Sequence, residues 1–234
     1  MILLVSVLKF RYQFFMNRRI FCKSVATVLL AMGLNPKLVL ADERSKVLLG
    51  AVKVNNKSKK GYLDNLKSSI LETQDQQTVV KVKDDVFLIR PFSKVKFVSN
   101  KIVEVIQGSV HAAFSKQPKE LKIKTTQGTI GIRGTVTYIE VESKFNRTYV
   151  CNCYGHTNLY NNKNQLIKSL QSDYHNPAII TASGLAEKSP YNIPLNHFDD
   201  HIETLEQQAG RSPRWKLPKG EKIFISPTSL KLNF

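Results

Sequence analysis

At 234 residues the chain can bury a real core as one domain, with room for a small appendage. Its 35 Lys and Arg against 18 Asp and Glu, a net charge of +17, favour anionic partners; no helix-turn-helix pattern or interleaved aromatic platform accompanies them, so nucleic acid is not expected. Three cysteines exclude a disulfide-stapled scaffold, and the core must carry the fold.

The N-terminal segment reads as an export leader. Asn17-Arg18-Arg19-Ile20-Phe21-Cys22-Lys23 runs directly into the apolar stretch Val25 to Leu34, the form of a bacterial twin-arginine signal in which Arg18, Arg19, Phe21 and Lys23 are the recognised residues. The apolar run is about half of the roughly 20 residues that a membrane span requires. Val39-Leu40-Ala41 places cleavage after Ala41. The Leu-, Val- and Phe-rich residues upstream make Met16 an alternative start. An ordinary secretory leader and an uncleaved inner-membrane anchor are the other readings, and each puts the rest of the chain outside the cytoplasm. Cleavage leaves no stable membrane span, removes six basic residues and Cys22, and leaves a net charge of +11 with only Cys151 and Cys153.

From residue 45 to about 170 the periodicity is that of strands. Lys46 to Val54 is the first expected strand, followed by a turn over Asn55 to Gly61, then Thr78 to Val82, Asp85 to Arg90 and Ser93 to Val98. Lys101 to Ile106 and Ser109 to Phe114 are expected to form a hairpin about Gln107-Gly108. Leu121 to Thr125 and Val136 to Glu142 flank a glycine-bearing loop, and Thr148 to Tyr154 returns as a strand. The expected fold is all-β: many short, mainly antiparallel strands in a sandwich or rolled β-solenoid. Lysines that alternate with apolar residues, among them Lys94, Lys96, Lys122 and Lys124, fit a solvated sheet face.

The last third changes character. Phe198, Ile202, Leu205 and Ala209 share one face of an amphipathic helix expected over about 197–209, with Asn196 or Asp199 as its cap, Gly210 in its closing turn and Pro213 beyond. Residues 217–234 form a basic tail, with a short strand at Lys222 to Ile225. The expected organisation is therefore leader 1–41, β domain 45–170 and C-terminal extension 171–234.

Thr126 to Thr135, with Gly131-Ile132-Arg133-Gly134-Thr135 at its centre and a strand ending in Glu140-Val141-Glu142 after it, resembles the signature of the FecR domain family, which includes the periplasmic sensor half of iron-dicitrate regulators. Thr148 to Gly155, with Cys151-Asn152-Cys153-Tyr154-Gly155, is similar to a motif of an exported subgroup that also carries a His-bearing segment, here Asp173 to Pro177, and a terminal helix ending in Gly210-Arg211. The resemblance implies an exported binding or sensory module involved in signalling. The chain departs from the regulators in running from a leader straight into the β region. The residues themselves assign Gly131 and Gly134 to close backbone approach and Arg133 to loop carbonyls, with an anion site on Arg133 as the alternative.

Cys151 and Cys153 lie two apart on an expected strand, so both thiols leave the same face. Three readings stand: two inert buried thiols, a strained redox-active disulfide, or a zinc or other transition-metal site completed by His175, with His156, His197 and His201 behind it. Folded export favours a cofactor taken up before translocation. Enzyme signatures are absent, and Asp84-Asp85 and Asp199-Asp200 read as solvated turn or helix-start carboxylates. The expectation is a non-enzymatic module in the periplasm or at the envelope, recognising a partner protein or anionic envelope component; a metal or redox protein using Cys151, Cys153 and a histidine is the alternative.

Overall fold

The computed structural model describes residues 44–216 except 117 and 192. The export residues Arg18, Arg19, Phe21 and Lys23, the cleavage position Ala41 and the strand expected at Lys222 to Ile225 lie outside the described residues.

The described strands, in chain order, are β1 (Ser45–Leu49), β2 (Val52–Val54), β3 (Lys57–Lys59), β4 (Tyr62–Leu63), β5 (Ser69–Glu72), β6 (Thr78–Val82), β7 (Asp85–Ile89) and β8 (Lys94–Ser99). They continue with β9 (Ile102–Ala113), β10 (Leu121–Lys124), β11 (Thr129–Ile132), β12 (Val136–Glu142), β13 (Arg147–Tyr160), β14 (Leu166–Ser172), β15 (Asn176–Ile180) and β16 (Ala186–Lys188). Among the described residues one α-helix, α1 (Asp199–Gln208), follows. The protein is an all-β fold with a C-terminal helix, as its alternating pattern requires.

Two sheets share two long strands. The first sheet runs β4-β1-β6-β7-β9-β12-β13-β15-β16. The second runs β3-β2-β5-β8-β9-β10-β11-β13-β14. In β9 the N-terminal half pairs with β8 and β10, and the half after Gly108 pairs with β7 and β12. Strand β13 divides in the same way, its first part in one sheet and the part after Gly155 in the other. Gly108 and Gly155 have φ of +74° and +87° at these two bends, values that a Cβ would strain. The sheets therefore fold over each other about two glycine corners and enclose one barrel-like core.

That geometry corrects the hairpin expected at Gln107-Gly108: the glycine bends one continuous strand instead of reversing it. Three other expectations also change. The first strand breaks at Gly50-Ala51 into β1 and β2, the glycine-bearing loop contains β11, and β4 and β5 arise in a stretch whose short apolar runs give little period. One pair, β9 with β10, is parallel.

The core between the sheets is almost wholly aliphatic and aromatic, with Leu71, Phe87, Ile123, Ile130, Ile132, Ile139 and Leu159 at 0–1 % exposure. Each such side chain contributes about 1.5–3 kcal/mol by leaving water. On the outer face of the second sheet, Lys94 and Lys96 of β8 lie beside Lys122 and Lys124 of β10, interrupted by Glu104 of β9 and paired in part, Lys94 to Glu72 at 2.7 Å. The lysine pattern is thus a solvated sheet face.

The strand order crosses residue 170 without a break, because β15 adds to β13 and β16 to β15. Helix α1 then lies against the outer face of the first sheet, burying Ile202 and Leu205 over Val79, Val86 and Leu88. Its far end is tied by Glu206, which accepts from Tyr154 Oη and from Arg211 Nε at 2.6 Å, and by Lys81 Nζ donating to the Gln208 carbonyl at 3.2 Å. The N-cap is Phe198, with no side-chain cap bond; Asn196 precedes it, and the Asp199 carboxylate is directed elsewhere. Among the described residues no helix is long and apolar enough to cross a membrane.

Candidate metal centre

The outer face of the first sheet carries polar chemistry under α1. Alternation sends Tyr149, Cys151 and Cys153 of β13 outward and Val150 inward. Register places Tyr138 of β12 between His111 of β9 and Cys151 of β13. Val136 pairs with Tyr154 and Thr137 with Asn152, so Cys153 is the extra residue of a β-bulge, which re-aims its thiol. Both cysteines are fully buried free thiols.

Two histidines close over them from irregular segments. His175 sits just before β15 with φ +32°, its backbone N–H donating to the Cys153 carbonyl at 2.8 Å. Its Nδ1 is 3.5 Å from Cys151 Sγ, and its Nε2 is 3.0 Å from Asp199 Oδ1. Tyr174 Oη donates to the other carboxylate oxygen at 2.8 Å. His197 precedes α1, stacks on Tyr138 with ring centres 4.6 Å apart, and has its Nδ1 2.7 Å from the Leu195 carbonyl. A carbonyl only accepts, so Nδ1 carries the proton and Nε2 holds the lone pair. That Nε2 is buried and has no hydrogen-bond partner.

One ligand atom from each of Cys151, Cys153, His175 and His197 lies within 4.8 Å of the other three. The group is therefore compact enough to hold a metal ion. Bonds of about 2.3 Å to sulfur and 2.0–2.1 Å to nitrogen at a tetrahedral ion put S and N roughly 3.5 Å apart, the Cys151–His175 separation. The donors suit a borderline-soft metal, and Asp199 behind His175 supplies the carboxylate that orients a ligating imidazole.

Electrostatics point the same way. Burial opposes a thiolate at Cys151, but hydrogen bonding from Cys153, the electrostatic effect of nearby His197 and the contact with His175 outweigh it and hold its pKa well below the usual thiol range. Burial and that shared thiolate push Cys153 up. Burial alone would depress His175; its bonds to Asp199 and Cys151 overcome this and raise it to about 9.

The structure brings together Cys151, Cys153 and His175, the three residues expected from the sequence, and His197 joins them directly. His156 does not: past the Gly155 bend it faces solvent on the second sheet, against Asn158 Oδ1 at 3.1 Å and Ser169 Oγ at 2.6 Å. His201 is buried beside the group, and burial lowers its pKa to about 4. His111 was not foreseen as a site residue. It is fully buried with Nε2 3.6 Å from Cys153 Sγ, and burial holds it well below its ordinary value. Its signal was its place on an outward strand position, whose importance depends on β9 lying two strands from β13.

Gly131, Arg133, Gly134 and Thr135 form a separate feature. A Cβ on Gly131 would stand 2.6 Å from a Glu120 carboxylate oxygen, and one on Gly134 2.6 Å from the Lys116 backbone. Arg133 does not gather loop carbonyls; its side chain is 59 % exposed and pairs with Glu120 at 3.7 Å. Thr135 is buried, its Oγ1 against Asn152 Oδ1 at 2.8 Å and the Tyr154 carbonyl, so the loop braces β13 on both sides of Cys153. The carboxylates also differ from expectation. Asp199 is fully buried as the partner of His175, and Asp85 accepts from Ser115 N at 2.7 Å while burial raises its pKa.

No protein-family model matches the chain, and no curated protein sequence matches it. Among solved structures it is similar to two crystal structures of a candidate anti-sigma factor from Parabacteroides distasonis. The first is 14 % identical over 51 % of this chain and 58 % of that one, with a TM-score of 0.43. The second is 14 % identical over 50 % and 57 %, with a TM-score of 0.41. The chain spans less than two thirds of the length of either.

Proposed function

We propose that this protein is an exported, metal-holding member of the FecR-like modules, a non-enzymatic binding or sensory unit of the periplasm or envelope. The observation that carries the metal assignment is the convergence of Cys151, Cys153, His175 and His197 within 4.8 Å on the buried face beneath α1. Four protein ligands complete a tetrahedral shell and leave no open position for a substrate, which favours zinc in a structural role over a catalytic one. The ligands come from β13, the turn before β15 and the segment before α1, so a bound ion clamps the C-terminal helix to the sheet. The twin-arginine leader fits this reading, since a buried site closed by the C-terminal segment is best filled before translocation. Recognition then falls to the exposed surface, where the lysine-bearing face of the second sheet attracts an anionic envelope component or partner protein.

Elemental analysis with free-thiol titration, on protein purified from the periplasm beside the Cys151→Ser/Cys153→Ser double variant, tests the assignment. At least one metal ion per chain, lost in the variant, is the expected result. Metal-free protein with two titratable thiols overturns it.

A further inference from the structure

We infer that the crevice between the two sheets, at the end of the fold where β6 turns into β7, binds a small anionic amphiphile: a short aliphatic or aromatic body ended by a carboxylate or phosphate. The crevice shares no residue with the metal centre and does not depend on it.

The connection from β4 to β5, the β6–β7 turn and the β8–β9 turn stand around this end without filling it, and leave a cavity of about 290 Å³. That is just below the roughly 300–1,000 Å³ of small-molecule sites, which favour the mouths of barrels, so one ring or a short chain is the body that fits. The floor belongs to the core: Leu63, Leu66, Phe97, Val103 and Leu121 are 3–7 % exposed, and buried Phe87 meets Phe97 edge-on with ring centres 5.3 Å apart. Tyr62, half exposed, continues the lining. Water over such a floor finds few partners, and an apolar body that displaces it is favoured by the area it removes from water.

The mouth is positive. Lys67 lies just before β5 and Lys83 in the β6–β7 turn; both are exposed, and neither has an ion-pair partner among the described residues. Arg44 lines the same crevice, its guanidinium over the Tyr62 ring at 4.1 Å. Two carboxylates are present as well. Asp85 is committed to Ser115, accepting from its N–H at 2.7 Å and its hydroxyl at 2.9 Å, and exposed Asp64 offsets only one of the cations. The balance is cationic over an apolar interior, and an anionic head on an apolar body meets both. Lysine stems lie readily along apolar surface while their ammonium groups reach outward to such a head.

Calorimetric titration of the protein purified from the periplasm tests the assignment. The probes are octanoate, octanol as the same body without the charge, and inorganic phosphate as a charge without the body. Octanoate should bind saturably, octanol about tenfold more weakly, and phosphate not measurably. Lys67→Glu/Lys83→Glu, at two exposed positions outside the core, should weaken octanoate roughly tenfold and leave octanol unchanged. Co-sedimentation with phosphatidylglycerol vesicles that octanoate reverses points to a membrane lipid as the source of the amphiphile; octanoate binding without co-sedimentation points to a free acid, and either sustains the site. Octanoate and octanol binding alike overturns the anionic half of the assignment. Unchanged octanoate affinity in the double variant overturns its placement at this mouth, and no octanoate binding overturns the site altogether, with the metal content untouched in each case.

Discussion

The two faces of the first sheet are built from the same strands on opposite principles. Its inner face meets the second sheet through Phe87, Ile89, Ile139 and Val150, side chains that need only to leave water. Its outer face meets α1 through Tyr138, Tyr149, two thiols and His111, with His175 and His197 closing over them, groups that must find partners once buried. Non-directional burial tolerates rearrangement of contacts; a polar layer is stable only when its geometry is satisfied. The inner face therefore holds the domain together, and the outer face can make the position of one helix depend on what it binds.

The sharpest way to break this contrast is to remove the proposed metal site. With the ion at a thousandfold excess over its Kd, binding adds about 4 kcal/mol of apparent stability, so Cys151→Ser/Cys153→Ser should lose that increment together with all bound metal, read by denaturant unfolding with and without added zinc. Ile139→Ala strikes the other face: it should cost about 2–5 kcal/mol while leaving the metal content unchanged. Equal metal loss in both variants would mean that the faces are not separable.

Acid offers a graded test on metal-free protein. His201 is held neutral by burial with its pKa lowered to about 4, so its contribution is present above the ordinary histidine value near 6.5 and is lost as pH falls toward 4. About 3 kcal/mol should disappear across that window in unfolding measured as a function of pH, and His201→Leu should flatten the profile. Asp199→Asn keeps an oxygen near His175 but removes its charge, and should weaken zinc about 10–100-fold in competition titrations with a chelator, without reducing the number of sites. Arg133→Ala should change stability by less than about 1 kcal/mol, since its pairing with Glu120 is largely solvated; a larger loss would give the glycine-arginine loop a role that its exposed guanidinium does not support.

Much of the inner face was legible along the chain. Thr78 to Val82 and Val136 to Glu142 match β6 and β12 end for end, because alternation and β-branching are local properties that tertiary contacts had only to accept. Gly108 was legible as a bend but misread in direction, since a positive φ is compatible with a reversal or a corner, and only the pairing of β9 with four neighbours separates them. Asp199 was misread for a related reason. A carboxylate at a helix start normally faces water or caps the helix, and here the turn before β15 brings His175 to it.

The sequence by itself determined that Cys151 and Cys153 point to one side, that a helix with Ile202 and Leu205 on one stripe follows, and that a histidine lies in the segment between. Each is a consequence of spacing along one element. Tertiary structure alone decided which histidines meet the thiols: His111 is 42 residues from Cys153 and reaches it because β9 and β13 flank β12, while His156, three residues away, is carried off by the bend at Gly155. A metal centre is a coincidence of side chains in space, and strand pairing between distant segments creates that coincidence where local periodicity carries no information about it.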